Sequence, residues 1–326
     1  MAGAAGQTAV FDNLSAITRD VYLPGLVDNI FNSNVLFRRL RNKSEFLNGG
    51  EFIRQPLLYA KQSAGGSYDA FDVLDTTPTE NISNAVLPWS HYYVNVSLAE
   101  TDLLKNAGDE QVLSLLKAQL KIAEMTMGDN IGTGLYDDGS DSKGIVGLRE
   151  IVSDSTTYGG VNPSTYSWWK STVNSTARTK ATLATAGATG MLNLLRDMWG
   201  DLTIDRDHPT ILVTTQDIFD IFWTYFQTAE VQNRPPQDAG MANMGFQFLN
   251  FNGVPMVVDD HCPAGYLFML NENYLHLKIH SDDNFRLEDF QKPTNQRVHI
   301  GKLFFSGQLV SSNRRMQGVF TDWANS

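Results

Sequence analysis

A long stretch, from residue 46 to about 98, leads directly into the longest helical pattern of the chain and limits the folds that the chain can adopt. Residues 91–98 alternate between apolar and polar side chains, which predicts a strand with Tyr92 and Val94 on one face. Residues 52–59 are its predicted partner strand, and the Gly-, Asp- and Thr-rich residues between the two strands predict loop. The stretch therefore predicts a hairpin with a soft tip.

A connection of this length is uncommon in a compact domain unless it has a function of its own. At about 3.3 Å per strand residue, a leg of about 20 residues projects on the order of 60 Å. A protrusion of that length does not bury its apolar side chains within its own domain. We therefore expect residues 46–98 to contact a neighbouring subunit, with Tyr59, Trp89, Tyr92 and Val94 as candidate intersubunit contacts.

Composition excludes several classes of function. The 326 residues are 42% hydrophobic, which is enough to form a sizeable core in one or two domains. The formal net charge is −11, from 36 acidic and 25 basic residues, and this disfavours both sequence-independent binding to nucleic acid and adhesion to anionic membranes. No apolar run approaches the roughly 18 residues that a transmembrane helix needs.

The single cysteine, Cys262, excludes an intrachain disulfide and a thiolate metal cluster. One thiol is typical of a reducing compartment. The first residues lack the basic and apolar regions of a secretory signal. Together these features predict a soluble protein of the cytoplasm.

The pattern after the hairpin predicts a helix from Asp109 to about Ile131, with a broad apolar stripe and with Gly132 and Gly134 at its end. The middle of the chain alternates between strand and helix patterns, and Asn252-Gly253 is a strong signal for a β-hairpin. Further helices are predicted at 189–199 and 218–226. Further strands are predicted at 210–214, 266–270, 274–279, 297–305, 308–310 and 316–320.

Catalytic motifs are absent: the sequence has no phosphate-binding loop, no dinucleotide-binding turn and no nucleophile elbow. Asp259–Cys262 concentrates groups that bind metals, but an Asp-rich turn before a proline is the commoner explanation. His276 and His280 lie on a predicted strand about 13 Å apart, too far to bind one ion. The aspartates in 137–141 lack the spacing of a calcium loop. We predict no catalytic residue, no metal site and no cofactor.

Four stretches carry a resemblance to a known family. They are the predicted hairpin with the helix that follows it, 144–148 with 162–169, the strand 211–215, and 251–259 with 262–271 and the closing strands through Val310. In their order and spacing these stretches resemble the major capsid (coat) proteins of tailed bacteriophages.

The resemblance implies an α+β subunit with the tailed-phage major capsid fold. Residues 1–45 would form an N-terminal arm, and 46–98 an extended β-hairpin loop. A peripheral domain would comprise 99–143, which contains the long spine helix, and 275–326. An axial α/β domain would comprise 144–274.

The resemblance also implies a structural protein and not an enzyme. Copies of the chain would self-assemble as pentamers and hexamers into an icosahedral shell that encloses double-stranded DNA without binding it specifically. Scaffolding and portal proteins are further expected partners, and a membrane is not. The expected location is the virion capsid, after assembly in the host cytoplasm. Two alternatives stay open: a cytoplasmic α/β enzyme with a site near Asp259–His261, beside a predicted loop at 229–245, and a phage tail component.

Overall fold

The computed structural model describes residues 34–101, 109–230 and 249–323, with the side chains of 109–115, 180–181, 183–189 and 225–230 left out of the description. Most of the predicted N-terminal arm and of the predicted loop at 229–245 lies outside the described residues. The described strands form a five-stranded sheet, a six-stranded sheet and a two-stranded hairpin.

The helices, in chain order, are α1 (Val35–Arg41), α2 (Asp109–Leu135), α3 (Leu148–Ile151), α4 (Lys180–Leu202) and α5 (Gln216–Glu230). The strands are β1 (Glu45–Leu47), β2 (Ile53–Leu58), β3 (Ile82–Leu87), β4 (Ser90–Ala99), β5 (Thr172–Asn174), β6 (Ile211–Thr214), β7 (Leu249–Phe251), β8 (Val254–Val258), β9 (Leu267–Leu270), β10 (Leu275–His280), β11 (Arg286–Leu287), β12 (Val298–Ser311) and β13 (Gly318–Phe320). No helix among the described residues is long and apolar enough to cross a membrane.

The predicted pairing of the 91–98 strand with the 52–59 strand is wrong. β2 instead pairs with β3, with Ile53 opposite Leu87 and Leu58 opposite Ile82. β4 pairs along its whole length with β12. The alternation did predict the buried face of β4 correctly, because Val94, like the other apolar residues of that face, is buried or half-buried. Alternation fixes which face of a strand is buried but does not identify the neighbouring strand.

The five-stranded sheet is organised around β12, a single strand of 14 residues where the sequence predicts two shorter ones. β12 pairs antiparallel with β4, β10 and β11, and β1 adds a parallel edge beside β10. The inner face of this sheet packs on α2 and shares one hydrophobic core with it.

The spine helix α2 extends to Leu135, beyond the predicted end at Ile131. Gly132 and Gly134 lie inside the helix, so their interpretation as its end is wrong. A Cβ atom at Gly132 would lie 2.7 Å from the His261 imidazole, and one at Gly134 would clash with the hydroxyl of Tyr92. The two glycines therefore mark a close approach of neighbouring segments to the helix.

The six-stranded sheet has the order β5-β13-β9-β6-β8-β7. One face, which includes Leu212 and Met269, packs on α4 and α5. The opposite face, which includes Val213 and Phe268, faces the core that contains the spine helix. The predicted hairpin at Asn252-Gly253 is confirmed, and both residues have the positive φ of a tight turn, 49° and 81°.

The last strand, β13, lies in the six-stranded sheet with β9, although the expected peripheral domain includes all of 275–326. Its backbone therefore crosses the boundary that the resemblance implies between the axial and peripheral parts. The domain boundaries themselves stay a prediction.

Candidate intersubunit surface

The hairpin of β2 and β3 carries an apolar tip that no part of the described chain covers. We define the tip as residues 63–79. Phe71 and Val73 are each 99% exposed, Tyr68 is 71% exposed and Leu74 is 59% exposed. None of the four belongs to either hydrophobic core. A contiguous group of large exposed apolar side chains is a mark of an interaction site.

Local hydrogen bonds, and not the burial of apolar side chains, hold the tip in its shape. The backbone N–H of Asp69 donates to the Asp72 carboxylate over 2.8 Å, and the Asp72 N–H donates back to the Asp69 carbonyl over 3.0 Å. The hydroxyl and the backbone N–H of Thr77 donate to the Asp75 carboxylate, and these bonds lower the pKa of Asp75. The hydroxyls of Ser63 and Thr79 bond across the two legs over 3.0 Å.

The tip is acidic as well as apolar. Residues 62–81 contain Asp69, Asp72, Asp75 and Glu80 and no lysine or arginine. The three aspartates alternate with the exposed apolar side chains along 68–75. A surface that covered the tip would need both apolar area and positive charge, since burial of an unpaired carboxylate is costly.

The base of the hairpin, in contrast, is fixed to its own subunit. Ile53, Leu57, Ala85 and Leu87 are buried in the main core. The N–H of Val86 donates to the Gly159 carbonyl over 3.0 Å.

Gly159 itself approaches the hairpin closely. Its φ is +60°, and a Cβ atom there would lie 2.6 Å from the Cβ of Ala85. The base and the 158–160 turn therefore fit together only because glycine occupies this position.

A buried arginine holds the segment on which the base rests. The Arg314 Nε donates to the Ile151 carbonyl over 2.6 Å, and its guanidinium lies over the rings of Tyr158 and Trp169. Burial lowers the pKa of Arg314 to about 10. The guanidinium satisfies several backbone carbonyls of 150–156 and so orders the loop that receives the hairpin.

The four candidate contact residues all make contacts within their own subunit. The Tyr59 ring stacks on Trp168 with centroids 4.8 Å apart, and the Trp89 indole N–H donates to the Gly50 carbonyl over 2.7 Å.

The Tyr92 hydroxyl accepts a hydrogen bond from the Ile145 N–H over 2.9 Å, and burial raises the pKa of this phenol. Val94 is only 8% exposed. A contact of these four residues with a neighbouring subunit stays a prediction. Val94 has little exposed surface with which to make such a contact.

Sequence reasoning missed the exposed apolar residues of the tip, Tyr68, Phe71, Val73 and Leu74. The Gly, Asp, Thr and Pro residues of this segment predict loop. The available signal was the run of large apolar residues within that loop, since a solvated loop does not need them.

The cluster near Asp259 is occupied by structural contacts. The Tyr136 hydroxyl donates to one carboxylate oxygen of Asp259 over 3.0 Å, and the His261 N–H donates to the other over 3.0 Å. The His261 Nε2 lies 3.3 Å from a carboxylate oxygen of Asp129 on the spine helix. Burial raises the pKa of the Cys262 thiol. These contacts attach the 259–262 turn to α2.

Other polar clusters also lack a catalytic geometry. Ser306, which is 1% exposed, donates to the Asp283 carboxylate and contacts the His91 Nδ1 over 2.6 Å. In a nucleophilic triad the carboxylate orients the histidine, whereas here it binds the serine directly. His276 and His280 contact different partners, Glu45 and Trp89 respectively. Within 34–101, 109–230 and 249–323, no group of three or more His, Cys, Asp or Glu residues is placed to hold a metal ion.

Neither a protein-family model nor a curated protein matches the sequence. The structure is similar to a chain of the cyanophage A-1(L) capsid asymmetric unit, with a TM-score of 0.63 and 16% identity over 90% of this chain and 93% of that one. It is also similar to a chain of the satellite phage P4 procapsid, with a TM-score of 0.53 and 11% identity over 97% of this chain and 98% of that one. A virus-like particle from Pyrococcus furiosus gives a TM-score of 0.53 and 11% identity over 90% and 95%.

At these sequence identities the likeness shows the fold. The chain has the α+β fold of tailed-phage major capsid proteins, and the prediction of the fold class is confirmed. The assignment of the described hairpin to the extended loop, and of α2 to the spine helix, stays a prediction.

Proposed function

We propose that this chain is the structural subunit of an icosahedral shell, assembled from pentamers and hexamers, that encloses double-stranded DNA. The observation that carries the proposal is the uncovered apolar tip on an anchored hairpin, in a chain with the capsid fold. Because each solved chain named above comes from a capsid, a procapsid or a virus-like particle, the fold favours a shell subunit over an enzyme or a tail component.

The hairpin supplies the physical basis for assembly. In the proposed shell, the tip of each subunit lies on the next subunit in a head-to-tail contact, which closes into rings when the rotation allows it. Full burial of one side chain such as Phe71 contributes about 1.5–3 kcal/mol. A tip has four such side chains, but the cost of association, about 4–15 kcal/mol, offsets much of this gain. A single tip therefore binds weakly enough for a misplaced subunit to dissociate, and many tips together stabilise the closed shell.

The acidic composition suits the proposed cargo. A formal net charge of −11 per subunit keeps the inner wall from adhering to packaged DNA, because like charges repel within about a Debye length. We therefore expect negative potential on the inner face. DNA as the content rests on the likeness to tailed-phage capsids, as do scaffolding and portal proteins as partners.

Expression of the chain alone and with its scaffolding protein, followed by negative-stain microscopy and light scattering, tests the proposal. We expect shells, capsomers or sheets under some salt condition. A variant in which a short Gly-Ser turn replaces 63–79 is expected to fold and not to assemble, because it loses the exposed apolar residues and none of the core. Replacement of the exposed turn 138–142 by a Gly-Ser turn of equal length is the matched control.

Two results would contradict this proposal. Monomers under all conditions, with scaffolding protein present, would argue against a shell subunit. Normal shells from the tip variant would show that the hairpin is not the clamp between subunits. Circular dichroism and a cooperative unfolding transition establish that each variant is folded.

A further inference from the structure

Two short chain crossings join the five-stranded sheet to the six-stranded sheet. At the first crossing, residues 271–274 lead from β9 of the six-stranded sheet to β10 of the five-stranded sheet. At the second crossing, residues 312–317 lead from β12 of the five-stranded sheet to β13 of the six-stranded sheet. The relative orientation of the two sheets therefore depends on how firmly these crossings are held.

Hydrogen bonds connect the two crossings to each other. The backbone N–H of Asn271 donates to the side-chain carbonyl of Gln317 over 2.9 Å, and the Gln317 side-chain amide donates to the Asn271 backbone carbonyl over 3.0 Å. Both residues are fully buried. The backbone N–H of Ser312 donates to the Tyr274 carbonyl over 2.9 Å. Because buried polar groups are costly to leave unpaired, we expect the two crossings to move as one unit.

An arginine of α1 binds a buried carboxylate at the first crossing. The Arg39 Nε donates to one oxygen of Glu272 over 2.6 Å, and a terminal guanidinium nitrogen donates to the other oxygen over 2.9 Å. This bidentate geometry is typical of a strong, charge-assisted pair. Glu272 is only 4% exposed, whereas 35% of the Arg39 side chain is exposed. Arg39 therefore compensates the charge of a carboxylate that water hardly reaches.

The same carboxylate connects α1 to both sheets. Thr210, which directly precedes β6 of the six-stranded sheet, donates its hydroxyl to the Glu272 carboxylate over 3.0 Å and accepts the Glu272 backbone N–H over 3.1 Å. On the other side, Leu36 and Leu40 anchor α1 in the main core, and β1, which follows α1, pairs with β10 of the five-stranded sheet. The contact between Arg39 and Glu272 therefore lies where the two sheets and α1 meet.

We propose that the Arg39–Glu272 pair is a clasp through which α1 fixes the relative orientation of the two sheets, and that this orientation sets the curvature of the assembled shell. The inference rests on the proposed function and adds a device that controls shell size. Apolar residues often replace a buried ion pair without loss of stability, whereas removal of one partner leaves a costly buried charge. The clasp therefore acts mainly by selecting one arrangement of the crossings. Because contacts between subunits close by rotation, a small change in subunit shape recurs around each ring.

Hydrogen exchange of the unassembled, full-length subunit tests the clasp itself. Arg39→Gln is expected to lower the protection of the amides of 271–274 by at least about tenfold, because local opening no longer breaks hydrogen bonds between charged groups. Arg39→Lys keeps the charge but loses the bidentate geometry, so its protection is expected to lie between those of Arg39→Gln and the wild type. Arg38→Gln, at the exposed neighbouring position, is the matched control and is expected to exchange like the wild type. If Arg39→Gln does not fold, R39Q/E272Q takes its place, because it removes the buried charge together with the clasp.

Electron microscopy of particles assembled from the same variants tests the effect on curvature. Arg39→Gln is expected to give shells or tubes whose mean diameter differs from that of wild-type particles by more than the spread of the wild-type population. Arg38→Gln is expected to give particles of wild-type diameter. Circular dichroism and a cooperative unfolding transition establish that each variant is folded.

The outcomes separate this inference from the proposed function. Wild-type protection of 271–274 in Arg39→Gln would overturn the clasp. Lower protection with particles of wild-type diameter, or with no particles at all, would overturn the connection between the clasp and curvature. These results leave the shell subunit standing, since that proposal fails when the wild-type chain itself does not assemble.

Discussion

The base and the tip of the hairpin belong to the same pair of strands but are stabilised in different ways. The base buries Leu57 and Ala85 in the main core, and its backbone bonds to Gly159. The tip buries none of its large apolar side chains and keeps its shape through short hydrogen bonds around Asp69 and Asp75. The comparison shows that one element buries its large apolar side chains at one end and exposes them at the other, and the proposed function gives the exposed end a role in assembly.

Two adjacent leucines at the end of β2 give the sharpest test of this difference. Leu57 is 2% exposed and Leu58 is 80% exposed. Leu57→Ala is expected to lower the free energy of unfolding by about 2–5 kcal/mol because it leaves a cavity in the core. Leu58→Ala is expected to change it by less than about 0.5 kcal/mol.

Urea unfolding of the unassembled subunit measures both values. Equal destabilisation by the two substitutions would show that the base is not anchored as described, and the distinction between base and tip would fail.

Two adjacent glycines under the base sharpen the comparison further. Gly159 and Gly160 both have positive φ, 60° and 79°. A Cβ atom at Gly159 would meet Ala85 at 2.6 Å, whereas one at Gly160 meets nothing within 4 Å. Alanine at either position is expected to cost about 1 kcal/mol of backbone strain. Gly159→Ala is expected to cost about 1–3 kcal/mol more through overpacking against the hairpin.

The same unfolding experiment, with Gly160→Ala as the control, measures the difference in the free energy of unfolding between the two variants. If the two variants are equally stable, the hairpin base is free to move away from the 158–160 turn, and the anchoring contact is not a tight one.

The smallest expected effect concerns the Tyr59–Trp168 stack. A double-mutant cycle with Tyr59→Leu and Trp168→Leu is expected to give a coupling of about 0.5–1.5 kcal/mol in the unfolding of the single subunit, as for other aromatic pairs. Assembly of Tyr59→Leu is expected to remain close to normal.

Absence of coupling, together with a strong assembly defect, would favour the predicted intersubunit contact of Tyr59 over a role within its own subunit. Calorimetric or urea unfolding measures the coupling between the two rings, and light scattering measures assembly.

Part of this molecule follows from its sequence. The spine helix and the buried face of β4 were predictable because both depend on a local period of apolar residues, and Asn252-Gly253 predicts its turn because few residues adopt positive φ. The partner of β4 was not predictable in this way, since β12 lies about 200 residues away in the chain and any strand with one apolar face satisfies the same pattern.

The errors near the candidate site have a common physical cause. Gly132 is a predicted helix end because glycine is common at helix ends, yet in this protein it allows His261 to approach the helix. The residues around Phe71 and Val73 are typical of loops, so the local pattern predicts only a loop there. A local pattern contains neither the distant segment that approaches Gly132 nor the second copy that is proposed to cover Phe71 and Val73.

The central claim is that the tip of the hairpin is buried only by another copy of the chain. A cryo-electron microscopy map of the assembled particle tests this most directly, because it shows what surrounds Phe71 and Val73. We predict that both side chains lie buried on the surface of an adjacent subunit. A map in which the tip folds back onto its own subunit, or remains exposed to solvent in the closed particle, would contradict the claim.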